Sequence, residues 1–407
     1  MTRADSRLAP SRPSLRGSGA PTAPVVAEGL ESDVSSSSKP TVFVGMSGGV
    51  DSSVAAMLLV EQGYNVTGVY MRNWSEDLPG MKCPWAEDLA DAKRVAVKLG
   101  IDFYVWDFEE AYREKVVEYM LDEFRAGRTP NPDVMCNQEI KFKLFYEKAR
   151  EAGADFIATG HYARILDGRL ARAVDENKDQ TYFLYRISEE ALSHTLFPIG
   201  GMLKPEVKKL AKARGLHNAY KKESMGVCFV GEVGMRDFLK EYIDIRPGEI
   251  REAESERVLG VHEGAVFYTI GQRHGLYLSG VAGEVNDGLP YYVVKKDLEQ
   301  NIVYVSKNLN HEAIWTRELQ LSDVVWRADP AGVSSPSSLR LAGGPPKTPS
   351  PARDIKVMAR LRHRGELVPA TFDGETLRFE REVKRPAAGQ SAVLYDGEIC
   401  LGGGVIA

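Results

Sequence analysis

The sequence contains little cysteine and no pattern that would pair it. Its four cysteines in 407 residues form no Cys-x-x-Cys motif and are too widely spaced for a disulfide framework: Cys83, Cys136, Cys228 and Cys400. A reducing compartment is therefore expected, and the reactivity of each thiol has to be argued from its own surroundings. The sequence also lacks an apolar run long enough to cross a membrane, so no membrane partner is expected.

An excess of positive charge is lacking as well. The 52 Lys and Arg residues face 57 Asp and Glu residues, which gives a net charge of -5. This balance argues against a protein that coats nucleic acid along its whole surface, but it allows a local basic face. A solvated helix face is the simpler interpretation of the basic cluster at 204–222, and contact with a phosphate backbone is the alternative. The cluster contains Lys204, Lys208, Lys209, Lys212, Arg214, Lys221 and Lys222.

The length of the chain predicts two or three domains. Short apolar strands alternate with helical patterns over 41–231, which predicts an α/β domain with a parallel sheet covered on both faces. The alternation then stops, and 232–290 is predicted as a small mixed domain. Strand patterns dominate 291–407 and predict a β-barrel, with a Pro-, Ser- and Gly-rich insertion at 331–353 that we expect to be disordered.

The first 40 residues differ in composition from the rest of the chain. They contain spaced arginines among Ser, Ala and Pro, and Asp5 is their only acidic residue before Glu28. Such a leader is typical of a mitochondrial transit peptide, and a plain disordered tail is the alternative. We therefore expect a location in the mitochondrial matrix, with a cytoplasmic location as the alternative.

A glycine- and serine-rich stretch, Gly45–Ser53, follows a buried strand pattern at 41–44 and precedes a helix pattern at 54–60. In a parallel sheet this turn lies at the carboxyl edge, where ligands bind. Its glycines allow backbone N–H groups to approach an anion, and the following helix directs its positive end to the same place. The stretch lacks the Gly-Lys-Ser/Thr ending of a Walker A loop. A phosphate site of another kind is therefore predicted, and a glycine-rich turn without a ligand is the alternative.

The stretch has the Ser-Gly-Gly-x-Asp-Ser form of the loop by which ATP pyrophosphatases bind ATP. Asp51 suits a Mg²⁺ ion held between a carboxylate and phosphates. Met71 and Gly160 each follow a predicted strand, so both are expected at the ligand edge of the sheet. Several enzyme families share this loop, so it indicates ATP and leaves the reaction open.

A second motif is Asn131-Pro132-Asp133-x-x-Cys136. Pro130 and Pro132 predict an extended loop outside any helix, so Cys136 is expected just before a helix that begins near Ile140. A helix N-terminus lowers the pKa of a thiol, and Asp133 is close enough to share a pocket with it. A packed cysteine beside a capping aspartate is the alternative. A third motif, Gly226-x-Cys228-Phe229, places another cysteine in a glycine-flanked turn.

The three motifs together resemble the tRNA-specific 2-thiouridylase family, and the resemblance covers about 41–407. It implies an N-type ATP pyrophosphatase (adenine nucleotide alpha hydrolase-like) domain, a small central domain and a C-terminal β-barrel. The leader and the 331–353 insertion depart from the compact bacterial pattern and suggest a eukaryotic, organellar branch.

The resemblance also implies roles for individual residues. Cys228 would carry the incoming sulfur as a persulfide, and Cys136 would be its catalytic partner and form a transient disulfide with it. Asn131, Pro132 and Asp133 would meet the target base. ATP would bind Gly45, Met46, Ser47, Gly48, Gly49, Val50, Asp51, Ser52, Met71 and Gly160. The tRNA would contact His161, Lys178, Asp179, Gln180, Arg362, His363 and Gln390, although family members usually have Tyr at the position of His363.

The implied reaction uses ATP and Mg²⁺ to adenylate the 2-oxygen of the wobble uridine, with release of pyrophosphate. The Cys228 persulfide then supplies sulfur, and Cys136 either releases it as hydrosulfide or resolves a disulfide. The implied partners are tRNAs for Lys, Glu and Gln and a persulfide donor protein. One alternative is another adenylating enzyme with this loop, which would need neither cysteine. The other is a tRNA-binding protein whose nucleotide site no longer turns over ATP.

Overall fold

The computed structural model describes residues 39–77, 85–222, 235–278, 289–327 and 354–407. The predicted leader, the 331–353 insertion, Cys83 and the whole Cys228 motif lie outside these residues and remain predictions. Within the described chain, residues Lys39–Ala407 belong to one compact unit. No helix of that described chain is both long enough and apolar enough to cross a membrane.

The N-terminal domain alternates strands and helices, as predicted. Its elements are β1 (Thr41–Gly45), α1 (Val50–Glu61), β2 (Asn65–Arg72), α2 (Trp85–Leu99), β3 (Asp102–Asp107), α3 (Glu109–Tyr112), α4 (Tyr119–Arg125), α5 (Pro132–Met135), α6 (Phe145–Glu151), β4 (Phe156–Ala158), β5 (Arg164–Leu166), β6 (Arg169–Ala171), α7 (Thr181–Leu184), α8 (Glu189–Ser193), β7 (Thr195–Leu196) and α9 (Lys204–Ala213). Two π-helical segments, Arg113–Glu118 and Cys136–Leu144, join α3 to α4 and α5 to α6.

Five strands of this domain form a parallel sheet in the order β3-β2-β1-β4-β7, which confirms the predicted sheet. Side chains of β1 alternate between its two faces. Phe43 packs with the helices between 109 and 151, whereas Val42 and Val44 pack with α1, α2 and α9. The sheet is therefore covered on both faces, and the loop after its central strand opens at the carboxyl edge.

The middle domain is a four-stranded mixed sheet. After the helix α10 (Met235–Tyr242), its strands are β8 (Gly248–Glu252), β9 (Val258–His262), β10 (Tyr292–Asp297) and β11 (Ile302–Ser306), in the order β10-β11-β8-β9. The strand patterns of the sequence predicted the β10–β11 hairpin as part of the C-terminal domain at 291–407. That boundary is wrong, because β11 pairs in parallel with β8 and the hairpin completes the middle sheet.

The C-terminal domain is a closed six-stranded β-barrel, as predicted. Its strands run β12-β15-β14-β13-β16-β17, and a β12–β17 pairing closes the barrel. They are β12 (Trp315–Trp326), β13 (Ile355–Arg360), β14 (Leu367–Phe372), β15 (Thr376–Lys384), β16 (Ser391–Asp396) and β17 (Ile399–Ile406). The hairpin of β5 and β6 adds to the outside of β17 through the pair Ala171 and Ile399, so a strand of the N-terminal domain extends the barrel sheet.

Candidate active site

The predicted phosphate loop lies between β1 and α1. Gly49 is the N-cap of α1, and Gly48 has a φ of 75°, where a side chain would also collide with the backbone carbonyl of Asp88. The hydroxyl of Ser52 accepts a hydrogen bond from the Ser47 N–H at 3.2 Å. Val50 begins the helix, so the loop surrounds the N-terminus of a 12-residue helix. That arrangement provides a dipole and N–H groups for an anion.

Asn218, which no sequence motif predicted, holds this loop in place. Its amide nitrogen donates to the carbonyl of Gly48 and to the hydroxyl of Ser53, both at 2.9 Å. The side chain is buried and comes from the segment after α9. A single asparagine 170 residues from its partner carries no sequence signal.

Asp51, whose side chain is partly exposed, forms an ion pair with the buried Lys204. Both carboxylate oxygens accept from the Lys204 ammonium at 2.7 Å, and the Tyr162 hydroxyl donates to one of them at 3.0 Å. Lys204 is the first residue of α9 and is 6% exposed. The solvated helix face considered for this residue is therefore wrong. Its position after β7, at the carboxyl edge of the sheet, is the signal that could have found it.

Met71 and Gly160 lie beside the loop, as predicted. The end of the Met71 side chain lies 2.8 Å from the place where a Cβ on Gly45 would stand. A Cβ on Gly160 would lie 2.5 Å from the backbone nitrogen of Ser52, so this glycine lets the segment after β4 pack onto the first turn of α1. Met46 is buried, and its N–H donates to the carbonyl of Val69 at 2.8 Å. Met46 therefore anchors the loop to β2.

The helix that carries Cys136 begins earlier than predicted. Pro132 is its first residue, and Asn131 caps it by accepting from the N–H of Val134 at 3.4 Å. The predicted extended loop and helix start near Ile140 are wrong, because the fixed φ and missing N–H of proline suit the first turn of a helix. Cys136 therefore lies at the end of the first turn, where the π-helical segment begins.

Asp133 and Cys136 occupy different environments on this helix. Cys136 is 3% exposed and packs in the core with Val134 and Ile140. Asp133 is half-buried, and burial raises the pKa of its carboxyl above the ordinary value, against the opposing charge of Lys141. Asp133 therefore retains its proton to a higher pH than an exposed aspartate does.

A cleft of about 270 Å³ opens from the phosphate loop. Its lining comes from both the N-terminal domain and the barrel and includes three of the predicted tRNA contacts, Lys178, Gln180 and His363. Five cationic side chains face two carboxylates there, so the cleft suits a polyanion. The lining residues are Ser47, Gly49, Val50, Asp51, Asp88, Tyr162, Lys178, Gln180, Lys204, Lys221, Lys222, His363 and Arg364.

Asp179 lies between two cleft residues but is itself fully buried. One carboxylate oxygen accepts from Arg360 of β13 at 2.6 Å, and the other accepts from Thr181 and from the N–H of Ala173. The side chain has no exposed area. The structure therefore contradicts the expected contact of Asp179 with tRNA, since its oxygens join the N-terminal domain to the barrel.

His161 is also buried. Its Nδ1 lies 2.8 Å from the hydroxyl of Thr159, and its ring packs against Phe142 and Phe197. Burial lowers the pKa of this imidazole well below its ordinary value, so the ring is neutral. His161 is therefore packed in the protein interior in this structure and does not present a surface to RNA.

The barrel residues predicted to contact tRNA differ in exposure. Arg362 is exposed, and His363 is half-buried with its ring centroid 4.6 Å from that of Phe183. Burial, together with Arg364 and Arg360, lowers the pKa of His363 to about 4. The amide nitrogen of Gln390 donates to two backbone carbonyls, those of Thr129 at 2.9 Å and Pro130 at 3.1 Å. Gln390 thus contacts the segment before the Asn131 motif.

Three family models match the chain in succession. They are a tRNA methyl transferase HUP domain at residues 40–232, a tRNA methyl transferase PRC-barrel domain at 236–307 and an aminomethyltransferase β-barrel domain at 338–406. The second match ends just after β11, in agreement with the middle sheet of the structure.

Known relatives match over most of their length. The tRNA-specific 2-thiouridylase MnmA of Listeria monocytogenes serotype 4b is 45% identical over 371 residues, which cover 90% of this chain and 94% of the relative. The protein of the same name from Pseudomonas savastanoi pv. phaseolicola is 45% identical over 380 residues, with coverage of 91% and 95%.

Solved structures match more weakly. A 4-thiouridine synthetase–RNA complex with bound ATP has a TM-score of 0.32 at 19% identity and covers 45% of this chain and 43% of that chain. The NMN synthetase from Francisella tularensis has a TM-score of 0.29 at 19% identity, with coverage of 46% and 66%. TM-scores this low support no functional argument. The 45% identity to the two 2-thiouridylases, over nearly their whole length, does. On that identity and coverage, the chain belongs to the tRNA-specific 2-thiouridylases, a family of sulfurtransferases.

Proposed function

We propose that the protein uses ATP to activate the 2-oxygen of the wobble uridine of tRNA and then replaces that oxygen with sulfur. The observation that supports this proposal is the cationic cleft between the N-terminal domain and the barrel, into which the phosphate loop opens. One opening therefore offers an anion site for ATP phosphates and a basic lining for RNA. Membership of the thiouridylase family supplies the reaction class.

Adenylation makes the uridine oxygen a leaving group, because AMP departs far more readily than oxide. The loop and the N-terminus of α1 would hold the pyrophosphate portion of ATP, and Lys204 would neutralise developing charge beside it. Both Asp51 oxygens accept from the Lys204 ammonium, so a Mg²⁺ ion held by Asp51 would share the carboxylate with Lys204 and take its other ligands from the phosphates. When bound, such an ion would supply charge neutralisation on the phosphates.

Sulfur delivery would use a persulfide on Cys228, loaded by a donor protein. In one route Cys136 attacks the persulfide, hydrosulfide leaves and adds to the activated ring carbon, and AMP departs. In the other the terminal persulfide sulfur adds to the carbon, AMP departs, and Cys136 then displaces the thiolated base from Cys228. Both routes end in a Cys136–Cys228 disulfide, which a thiol reductant must return to thiols, and its formation needs Cα atoms within about 7 Å.

The assay that tests this proposal combines the protein, ATP, Mg²⁺, a persulfide donor labelled in its terminal sulfur, and a tRNA with wobble uridine. Labelled tRNA and AMP are expected in equal amounts, and none with a matched tRNA that has cytidine at this position. AMP without labelled tRNA would favour a different adenylating enzyme with this loop. Binding of tRNA without AMP would favour an inactive nucleotide site.

We further propose that the substrates are mitochondrial tRNAs for Lys, Glu and Gln. The composition of residues 1–40 and the family resemblance support this assignment. A fluorescent reporter fused to residues 1–40 tests the location, and a cytosolic signal would contradict it. The three tRNAs, compared with one another in the labelled-sulfur assay, test the substrate set.

Lys204→Met is expected to lower kcat/KM for ATP in AMP formation by about a hundredfold or more. The substitution removes a cation from the cleft and leaves Asp51 without the ammonium that holds it. Steady-state AMP release with saturating tRNA, persulfide donor and thiol reductant measures this effect. Lys209→Met is the matched control, because Lys209 lies on the same helix and is exposed. Equal effects of the two substitutions would contradict a role for Lys204 at the phosphate loop.

Asp133 is expected to give thiolation an acidic limb at a pH above the ordinary range of an aspartate. The physical reason is that burial raises the pKa of its carboxyl, and only the carboxylate can take a proton from the base. The single-turnover rate should therefore fall as the pH decreases through this raised pKa. Asp133→Asn should slow the reaction and abolish that limb. Retention of the limb in the Asn variant would assign it to another group.

A further inference from the structure

The segment 127–130 joins the helix that ends at Arg125 to the helix that begins at Pro132. Both the middle domain and the C-terminal barrel form hydrogen bonds with it. From the middle domain, the Lys296 ammonium donates to the carbonyl of Gly127 at 2.9 Å. From the barrel, Gln390 donates to the carbonyls of Thr129 and Pro130. The Thr129 N–H completes the contact by donating to the carbonyl of Ala388 at 2.8 Å.

The fit on both sides of this segment is close. Gly389 of the barrel has a φ of 88°, and a Cβ there would lie 2.9 Å from the carbonyl oxygen of Thr129. Gly127 has a φ of 74°, and a Cβ there would lie 2.8 Å from a methyl group of Leu298 in the middle domain. Substitution at either glycine would therefore be strained and crowded, so the segment is held by shape as well as by hydrogen bonds.

Lys296 occupies this junction at a cost in stability. Its side chain is largely buried, and burial lowers the pKa of the ammonium to about 8. Within the described part of the chain it forms no ion pair, and its hydrogen bond goes to a neutral carbonyl. A buried cation without a carboxylate is unfavourable, and an apolar residue of similar length would avoid that cost.

Segment 127–130 directly precedes the helix that carries Asp133 and Cys136, so its hydrogen bonds to the other domains can affect the position of that helix. Pro130 is directly followed by Asn131, whose side chain caps the helix that carries Asp133 and Cys136. A shift of the Pro130 carbonyl therefore moves the helix cap, and with it both predicted catalytic groups. A misplacement of about 1 Å can reduce an enzymatic rate about a hundredfold.

We propose that Lys296 and Gln390 are positioning residues through which the middle domain and the barrel hold segment 127–130 and so align Asp133 and Cys136 with the target base. This inference rests on the proposed function for its catalytic readout. It differs from the role that the family resemblance implied for Gln390, a contact with tRNA. The amide nitrogen of Gln390 is directed at protein carbonyls in the structure.

Lys296→Met tests the inference, with Lys295→Met as its matched control. Lys295 is the adjacent residue on β10, has the same charge and is exposed, with its ammonium 5.1 Å from the centre of the Tyr304 ring. Lys296→Met is expected to lower the single-turnover thiolation rate between about tenfold and a hundredfold. Its KM for ATP should remain unchanged, and its melting temperature should stay the same or rise. A rate equal to that of Lys295→Met, or a loss of rate accompanied by a lower melting temperature, would overturn the inference.

Gln390→Ala separates positioning from RNA contact. A positioning role predicts a slower thiolation rate at unchanged affinity for tRNA, measured by filter binding. Weaker tRNA binding with an unchanged rate at saturating tRNA would instead favour the direct contact and overturn the inference for this residue.

Hydrogen exchange provides a readout that does not depend on activity. Amides in peptides covering 127–136 are expected to exchange faster in Lys296→Met and in Gln390→Ala than in Lys295→Met or the wild type. Equal exchange in all four proteins would overturn the inference, whatever the activity. If the wild type fails to thiolate tRNA while exchange still differs as expected, the proposed function fails, and the inference that the two domains hold segment 127–130 stands.

Discussion

Cys136→Ser is expected to abolish thiolation of tRNA, by at least about a thousandfold, while adenylation of the uridine, measured as pyrophosphate release in the first turnover, continues. A serine hydroxyl has nearly the volume of a thiol, so the buried position of Cys136 should remain packed. The hydroxyl is not ionised near neutral pH and is a poor nucleophile toward a persulfide, so sulfur cannot be released or resolved. ATP binds at the phosphate loop, on a different element, and adenylation should therefore persist.

The matched control for this substitution is Cys400→Ser. Cys400 is equally buried, at 1% exposure, but it lies on β17 of the barrel. Burial raises the pKa of its thiol to about 12, so it remains protonated and unreactive at neutral pH. Its substitution should leave the thiolation rate unchanged. Cys228→Ser should lose thiolation in the same way as Cys136→Ser. Labelled tRNA from either of those two variants at the wild-type rate would contradict the two-cysteine mechanism.

Arg360→Met is expected to destabilise the protein by about 3 kcal/mol, the lower end of the range for a buried ion pair that loses one partner. The substitution would remove the guanidinium that lies 2.6 Å from the buried Asp179 carboxylate and leave that carboxylate with only a longer ion pair, to Arg172 at 3.6 Å. Neither side chain of this pair is more than 5% exposed, so water cannot replace the lost partner. Urea unfolding followed by circular dichroism measures the effect.

The double variant Asp179→Asn with Arg360→Met isolates the pair interaction. It should be more stable than Arg360→Met alone, because the buried carboxylate that lost its nearest cation is gone. Arg381→Met is the surface control, since its ion pair with Glu366 leaves both side chains more than half exposed and should contribute little. A similar stability of Arg360→Met and Arg381→Met would show that the buried pair does not hold the domains together.

The same pair matters for the cleft. Asp179 lies between Lys178 and Gln180 on one wall, and Arg360 ends the strand that leads to His363 and Arg364 on the other wall. The Tyr395 hydroxyl, 3.1 Å from that of Thr181, extends the contact between the two domains. Weakening the pair should therefore separate both walls, and tRNA affinity should fall together with stability.

Local patterns were sufficient where the determining residues are neighbours in the chain. Apolar residues, glycines and serines within 41–53 specify strand, loop and helix in succession, and each preference acts over a few residues. The same is true of the alternation that predicted the parallel sheet. The prediction of where the helix near Cys136 begins was wrong, because proline can either end a helix or begin one. Which of these Pro132 does depends on the capping of the first turn by Asn131.

The sequence by itself determined the phosphate loop, the parallel sheet, the barrel and the family. Only the tertiary structure decided which polar residues meet, since Lys204 and Asp51 are 153 residues apart, Arg360 and Asp179 are 181 apart, and Gln390 and Thr129 are 261 apart. It likewise assigned the β10–β11 hairpin to the middle sheet and buried Asp179 and His161. The physical reason is that long-range ion pairs and hydrogen bonds depend on where packed domains bring side chains together, and no periodicity or local preference records that distance.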